Sequence, residues 1–362
     1  MSEIATLRTH PLSVPLRGPF VTAQRTVTTL DTLVVSVTDA DGRIGWGEAA
    51  LSWQVTGESS AGAEAAISGP IAAAVVGLPA DDPSEWGAAL ARSVVRNSAA
   101  KAAVDSALWD LAAQAAEMPL HRLLDPTSGS AVVTDMTVAV ADDEEVLRDA
   151  AQHVEAGFGT LKIKLGLDPE RDDRIMRALR AGPAGAAQLR VDANQGWTAE
   201  DAIRIIRGWE EDGLDVELVE QPTPADDIDS LAWVTAAVTT PVLADESLWG
   251  ARDLREIVRL GAADLVNIKL AKCGGITPAR ELVSLAAASD VGVLVGSMLE
   301  SAVGISAAAH LAVTLPGVVH DLDAGTWQQT SPVEGGVGYE ADQIVLTETA
   351  GLGIDALVRE PA

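Results

Sequence analysis

The 362-residue chain has a single cysteine, Cys273, so no disulfide can form within it, which fits a reducing compartment. Basic residues are also scarce, 25 against 53 acidic, for a formal charge of −28. The mean field therefore repels phosphate backbones and anionic membranes, so neither nucleic acid nor a membrane is an expected partner. A small anionic ligand would need a locally positive site. Long hydrophobic runs are missing too. The richest stretch, Leu282 to His310, is interrupted by Ser289, Asp290, Gly292, Gly296, Ser297, Glu300, Ser301 and Gly304, against a membrane span. Met1 to Pro19 carries no uninterrupted apolar segment of the signal-peptide kind. The expectation is a cytoplasmic protein acting as a homo-oligomer.

What remains suits a globular chain, with 48% hydrophobic and 22% charged residues. The length accommodates a barrel of roughly 250 residues and a smaller companion. Thr32 to Thr38 and Ile44 to Glu48 read as a hairpin about Asp41-Gly42. Helical stretches at Ala61 to Val76 and Ser98 to Glu117 follow. Strands then helices indicate an α+β unit, assigned to 1–125.

From Val132 the pattern becomes short apolar strands alternating with helices. The strands are Val132–Val140, Thr160–Leu165, Gln188–Asp192, Val216–Glu220, Pro241–Asp245, Leu265–Lys269, Val291–Ser297 and Val318–Asp323. Eight of them, spaced for right-handed crossovers, predict an α/β fold with a closed (β/α)7β TIM-like barrel over 126–330, capped by the α+β domain. The segment 331–362 adds no further strand and helix pair and is expected to pack back on the capping domain.

Barrels of this kind carry their sites at the C-terminal strand ends. Those ends supply Lys162 and Lys164, Asp192 and Asn194, Glu220, Asp245 and Glu246, Lys269, Ser297 to Glu300, then Asp321 and Asp323. A lone strand-end aspartate is more often a helix cap than a ligand. Asp192, Glu220 and Asp245, however, each close an apolar run on successive strands, which lie only about 4.8 Å apart. Three converging anions need a cation, and oxygen-only donors suit Mg2+, with Mn2+ as a possible substitute.

Lys164 and Lys269 follow the second and sixth strands, on opposite sides of such a barrel. A lysine base must fall from about 10.4 toward about 7 or 8, and a metal with Lys162 two residues away would push it there. Loss of a proton α to a carboxylate creates an enediolate, which metal and Lys162 would stabilise. With a lysine on each face, the proton can leave one side and return on the other.

Lys162-x-Lys164, Lys269 and the three carboxylates resemble the enolase superfamily, within it the muconate-lactonising group. The resemblance extends through Pro19-Phe20, Gly45-Trp46-Gly47-Glu48 and Ser98-Ala99-Ala100-Lys101-Ala102-Ala103. It implies Lys164 and Lys269 as acid and base, Lys162 at the substrate carboxylate, Asp192, Glu220 and Asp245 as metal ligands, and Asn194 and Glu246 behind them. His320-Asp321-Leu322-Asp323-Ala324 looks like the dipeptide epimerases, in which an Asp pair binds the substrate ammonium. Arg25, in Pro19 to Thr26, resembles the arginine of L-Ala-D/L-Glu epimerases that meets a glutamate side chain. Thr56, in Thr56-Gly57-Glu58-Ser59, Ser297 and Met298 complete the expected substrate contacts. The implied activity is Mg2+-dependent 1,1-proton transfer on a small dipeptide of the murein type. N-acylamino-acid racemisation, o-succinylbenzoate synthesis, muconate cycloisomerisation and a non-catalytic metal-binding barrel are the competing readings.

Overall fold

The structure is a computed structural model that describes residues 2–22 and 25–358. The first unit opens with a three-stranded antiparallel sheet, β1 (Ile4–Val21), β2 (Thr26–Asp39) and β3 (Ile44–Ala49). The predicted hairpin is its β2–β3 half. The long β1 was not anticipated, because prolines at 11, 15 and 19 mask its alternation and are tolerated only along an edge. The expected helix at 61–76 is α1 (Ser60–Ala66) and α2 (Ala72–Val75), joined by a π-helical turn containing Pro70.

After α3 (Pro83–Ser93) comes the alanine-rich α4 (Ser98–Ala115), pressed directly against β3. A Cβ at Gly45 or Gly47 would lie 2.0 Å from the Ala107 carbonyl oxygen or 1.9 Å from that of Ala103. Strand and helix thus meet backbone to backbone, which only glycine permits here. A short helix, α5 (Leu120–Leu124), leads into the barrel.

The predicted strand Val132–Val140 divides in two. Its first half, β4 (Ala131–Val133), pairs with the C-terminal segment, while β5 (Met136–Val138) begins the barrel. Parallel strands β6 (Thr160–Lys164), β7 (Gln188–Asp192), β8 (Val216–Glu220), β9 (Val242–Ala244), β10 (Leu265–Lys269) and β11 (Gly292–Gly296) follow β5 in sequential order. Between them run α6 (Asp143–Glu155), α7 (Pro169–Ala181), α8 (Ala199–Glu211), α9 (Ile228–Ala237), α10 (Ala251–Leu260), α11 (Leu270–Cys273) and α12 (Ile276–Ala287). After β11 comes α13 (Ala302–Ala312). Asp142, Asp168, Thr198, Asp227 and Ser301 cap helices with their side chains, so part of the acidity serves helix ends.

The eighth stave is not a full strand. His320 bridges Thr134, Asp321 bridges Gly296, and the chain then turns into a 3-10 helix at Asp323–Trp327. Those bridges close the ring between β11 and the start of β5. The last segment adds β12 (Val333–Gly335), β13 (Gly338–Glu340), β14 (Gln343–Val345) and β15 (Ile354–Leu357). It rests on both units rather than on the capping domain alone. Gly351 O accepts from Leu120 N, whereas Tyr339 and Val337 bond Leu322 and Ser306 of the barrel. Among the described residues, no helix is long and apolar enough to cross a membrane.

Two buried histidines tie the layers together as hydrogen-bond acceptors. His310 Nδ1 accepts from His121 N at 2.9 Å, and His320 Nδ1 from Val295 N at 3.1 Å. Burial pushes His310 down to about 3 and His320 down to about 4. An unfolded histidine titrates near 6.5, so the native state resists a proton that the unfolded chain accepts. Their contribution is complete above about pH 6.5 and lost as pH falls toward 3–4. His310→Asn keeps an acceptor but cannot titrate. It is expected to flatten the loss of unfolding free energy between pH 6.5 and 4 by on the order of 3 kcal/mol, measured by urea denaturation; an unchanged slope refutes the assignment.

Candidate active site

Strand register delivers the charged residues to one end of the barrel. Lys164 lies opposite Asp192, Asp192 opposite Glu220, and Asp245 falls two residues beyond the Glu220–Leu243 pair. Lys269 lies opposite Gly296, which bridges Asp321. Lys164 and Lys269 are thus separated by three intervening strands of a closed ring. Both side chains line one cavity of about 70 Å3, shared with Phe20, Arg25, Val55, Thr137, Asn194, Asp245, Glu246, Ser297, Met298, Asp321, Asp323 and Trp327.

Beneath that cavity lies a buried lattice of charge. Lys162 is only 1% exposed and stands 2.6 Å from Glu220 Oε2, 2.7 Å from Asp321 Oδ2 and 3.3 Å from Asp192 Oδ2. Lys164 Nζ donates to Asp192 Oδ2 at 2.6 Å and Lys269 Nζ to Asp245 Oδ2 at 2.9 Å. Lys272, in α11, donates to the other Asp245 oxygen and to its carbonyl. Asn267 Nδ2 holds Glu220 Oε1 at 3.0 Å.

Asp192, Glu220 and Asp245 arrive on adjacent strands, and each meets a lysine: Lys162 and Lys164 at Asp192, Lys162 at Glu220, Lys269 and Lys272 at Asp245. Carboxylates packed together in a buried site repel one another, and the ammonium groups offset that repulsion. Burial works against the charge on Lys269, but Asp245 outweighs it and holds the group above its ordinary value; Lys162 is raised too, by Asp321, Glu220 and Asp192 acting against its burial.

The carboxylates respond unequally. Burial, then the charges of Asp192 and Asp245, push Glu220 up to about 7, while burial with Asp245 and Asp192 pushes Glu246 to about 7. Burial is outweighed at Asp321 by Lys162, Lys269 and Lys164, which hold it near 2. Burial and the Asp321 charge raise Asp323.

The remaining predicted residues divide. Asn194, at φ 42°, donates its backbone N–H to Asp192 Oδ1 at 2.8 Å, and its amide meets Glu246. Ser297 N donates to Asp321 O and Met298 N to Glu300. Arg25 is directed onto Ser52 Oγ at the cavity mouth. Positions 23 and 24 of its segment lie outside the described residues. Thr56 is not brought to this cavity. Its hydroxyl donates to Ser52 O, and it lines a separate space of about 730 Å3; Val55 takes its place. Lys162 lies under the floor rather than on the wall.

Sequence reading missed Lys272, Thr137, Phe20 and Trp327 as members of the site. The Lys269-x-x-Lys272 spacing places the second lysine one helical turn past a strand end, a usable signal. Trp327 gave none, because its approach to Asp323 depends on the 3-10 turn.

A barrel with lysines on opposing staves and carboxylates between them defines an enolase-type site. The family model described as "Mandelate racemase / muconate lactonizing enzyme, N-terminal domain" matches residues 4–125, and that described as "Enolase C-terminal domain-like" matches 145–359. The chain belongs to the mandelate racemase and muconate lactonizing enzyme family. It is 40% identical to an L-Ala-D/L-Glu epimerase of Clostridium acetobutylicum, over 96% of this chain and 97% of that one. The substrate-liganded L-Ala-D/L-Glu epimerase of Bacillus subtilis superposes with a TM-score of 0.96 at 38% identity, covering 99% and 100% of the two chains. The dipeptide epimerase of Enterococcus faecalis complexed with Mg and L-Leu-L-Tyr gives 0.94 at 35% identity, covering 98% and 100%.

Lys272→Met would leave half of the buried Asp245 carboxylate facing an apolar chain. The expected cost is about 3–5 kcal/mol of unfolding free energy, since breaking one partner of a buried pair strands the other. A loss below about 1 kcal/mol in denaturant titration, the range of exposed pairs, would mean that Lys269 alone satisfies Asp245.

Proposed function

We propose that this chain is a dipeptide epimerase that inverts the α-carbon of the C-terminal residue, with L-Ala-D/L-Glu as its substrate. The observation that carries this reading is one cavity lined by Lys164 and Lys269 from opposite staves together with Asp321 and Asp323. The paired aspartates suit a substrate ammonium. Substrates of N-acylamino-acid racemisation, cycloisomerisation or o-succinylbenzoate synthesis have no such group. The named relatives are epimerases of dipeptides, which supports the same choice.

Asp192, Glu220 and Asp245 fit a divalent ion through their chemistry: hard oxygen donors at the ends of adjacent strands, buried together at one end of the barrel. Those three residues would hold Mg2+, which when bound supplies fixed positive charge at the substrate carboxylate. Mn2+ is the natural substitute. Lys162 adds a second positive charge from below, where a growing enediolate is stabilised in a water-poor site. One of Lys164 and Lys269 takes the α-proton, and the other, already protonated, delivers one to the opposite face. Each acts as base in one direction and acid in the other. Arg25 offers its guanidinium at the mouth, where a glutamate side-chain carboxylate would meet it.

In D2O with Mg2+, L-Ala-L-Glu is expected to gain one deuterium at the glutamate α-carbon as the L-Ala-D-Glu epimer accumulates. Lys164→Ala and Lys269→Ala should each abolish epimerisation yet leave exchange with one epimer, a different one in each variant. Exchange restricted to N-acylated amino acids, read by mass spectrometry, would reject the dipeptide assignment.

Metal binding has its own readout. Mg2+ at about 100 times its dissociation constant is expected to raise the unfolding free energy by about 2.7 kcal/mol, and Glu220→Gln should erase most of that gain. Equal stabilisation of both proteins in thermal unfolding would place the ion elsewhere.

A further inference from the structure

The ammonium clamp is built into the junction between barrel and capping domain. Asp323 opens the 3-10 helix Asp323–Trp327, and its Oδ2 accepts from Thr137 N at 2.8 Å and from the indole Nε1–H of Trp327 at 3.1 Å. The same indole meets Phe20 of β1 edge to face, with ring centroids 4.8 Å apart at 88°. Phe20 lies at the end of β1, immediately before the segment that carries Arg25, and both Phe20 and Trp327 line the catalytic cavity.

The chain just beyond Trp327 is sewn to that strand. Gln329 N donates to Pro15 O at 3.0 Å, Arg17 Nε to Gln328 O at 2.8 Å and Gln329 Nε2 to Leu16 O at 2.9 Å. Phe20 and Trp327 also pack with the buried cluster Val14, Leu16 and Leu30. The orientation of the indole is therefore set by the capping domain, while its one donor is spent on the barrel's aspartate. An indole nitrogen has a hydrogen to give and nothing to accept with, so a rotated ring loses the bond outright.

We propose that Trp327 is a positioning residue through which Phe20 of the capping domain fixes the Asp323 carboxylate, making recognition of the substrate's free ammonium depend on docking of the capping strand. This rests on the reading of Asp321 and Asp323 as the ammonium site. Trp327 touches no reacting atom. It fixes one Asp323 oxygen, so that the carboxylate meets the ammonium in a single orientation.

Trp327→Phe keeps a ring against Phe20 and removes only the donor; Phe20→Leu keeps apolar bulk and removes the ring edge. Binding to the Mg2+-loaded protein is measured by calorimetry for L-Ala-L-Glu and for propionyl-L-glutamate, which lacks only the ammonium. Each variant is expected to weaken the dipeptide about tenfold, the scale of one hydrogen bond to a charged group, while propionyl-L-glutamate changes less than about twofold. The double variant should bind no worse than the weaker single, because both substitutions break one link. Equal weakening of the two ligands, no weakening of either, or singles whose effects multiply would each overturn the proposal. Circular dichroism confirms folding, and Phe20→Leu serves if Trp327→Phe does not fold. Since either epimer keeps the ammonium and both carboxylates, the titration reports ammonium recognition whichever is present, and a wild-type protein that exchanges no α-proton would strike the epimerase reading while this comparison still succeeds or fails by itself.

Discussion

The buried contact of Lys162 with Asp192, Glu220 and Asp321 is the constraint around which the site is organised. Each partner comes from a different stave, so one ammonium group ties four positions of the ring together. Desolvating so many charges is expensive, and removing any one strands the others. A core of apolar residues would stabilise the barrel more simply. Under the proposed reaction, the ammonium of Lys162 is better understood as positive charge held ready where negative charge grows than as a stability device. The apolar layers around it, such as Leu161, Ile163, Leu189, Val191 and Ile268, all 0% exposed, exclude the water that would screen it.

The second constraint is the seam between the two units. Glu48, at the end of β3, accepts from Ser301 N and Gly304 N, so a capping-domain carboxylate closes the N-terminus of α13. Asp110 of α4 does similar work for Trp46 N and Leu352 N. These bonds fix β3 against α13 and α4 against the C-terminal segment, and β1 belongs to the same sheet as β3. A specificity residue on a loop is only as precise as the frame that carries the loop, and here the frame is fixed by buried charge-assisted bonds at several separate points.

Much of the barrel could be read from the chain because its information is local. An apolar run that stops at Asp192, Glu220, Asp245 or Lys269 states both the strand and its functional end, and period two alone puts Lys162 and Lys164 on one face. The misreadings arose where the outcome depends on partners distant in sequence. β1 lacks a clean alternation because prolines punctuate it, and pairing with β2 decides its state. Val318–Asp323 holds two bridges instead of a full ladder because Leu322 N is taken by the Thr134 hydroxyl before the 3-10 turn begins. Thr56 was read from its likeness to a loop motif, whereas its hydroxyl has a nearer acceptor in Ser52.

Net charge sharpens the functional argument. A chain of formal charge −28 disfavours the approach of an anion, yet the proposed substrate carries two carboxylates and one ammonium. Under the proposed function, each of these groups would find an opposite partner in one small cavity lined by Lys164, Lys269, Arg25, Asp321 and Asp323. Separation is what matters, because three charges of mixed sign at fixed spacing can satisfy all three partners in only one orientation. The unfavourable long-range field then costs association rate for every anion alike, whereas the arrangement of local charges decides which anion stays. In this reading selectivity would reside in the spacing of fixed charges, which for Lys164, Lys269 and Asp321 follows the barrel's strand pairing.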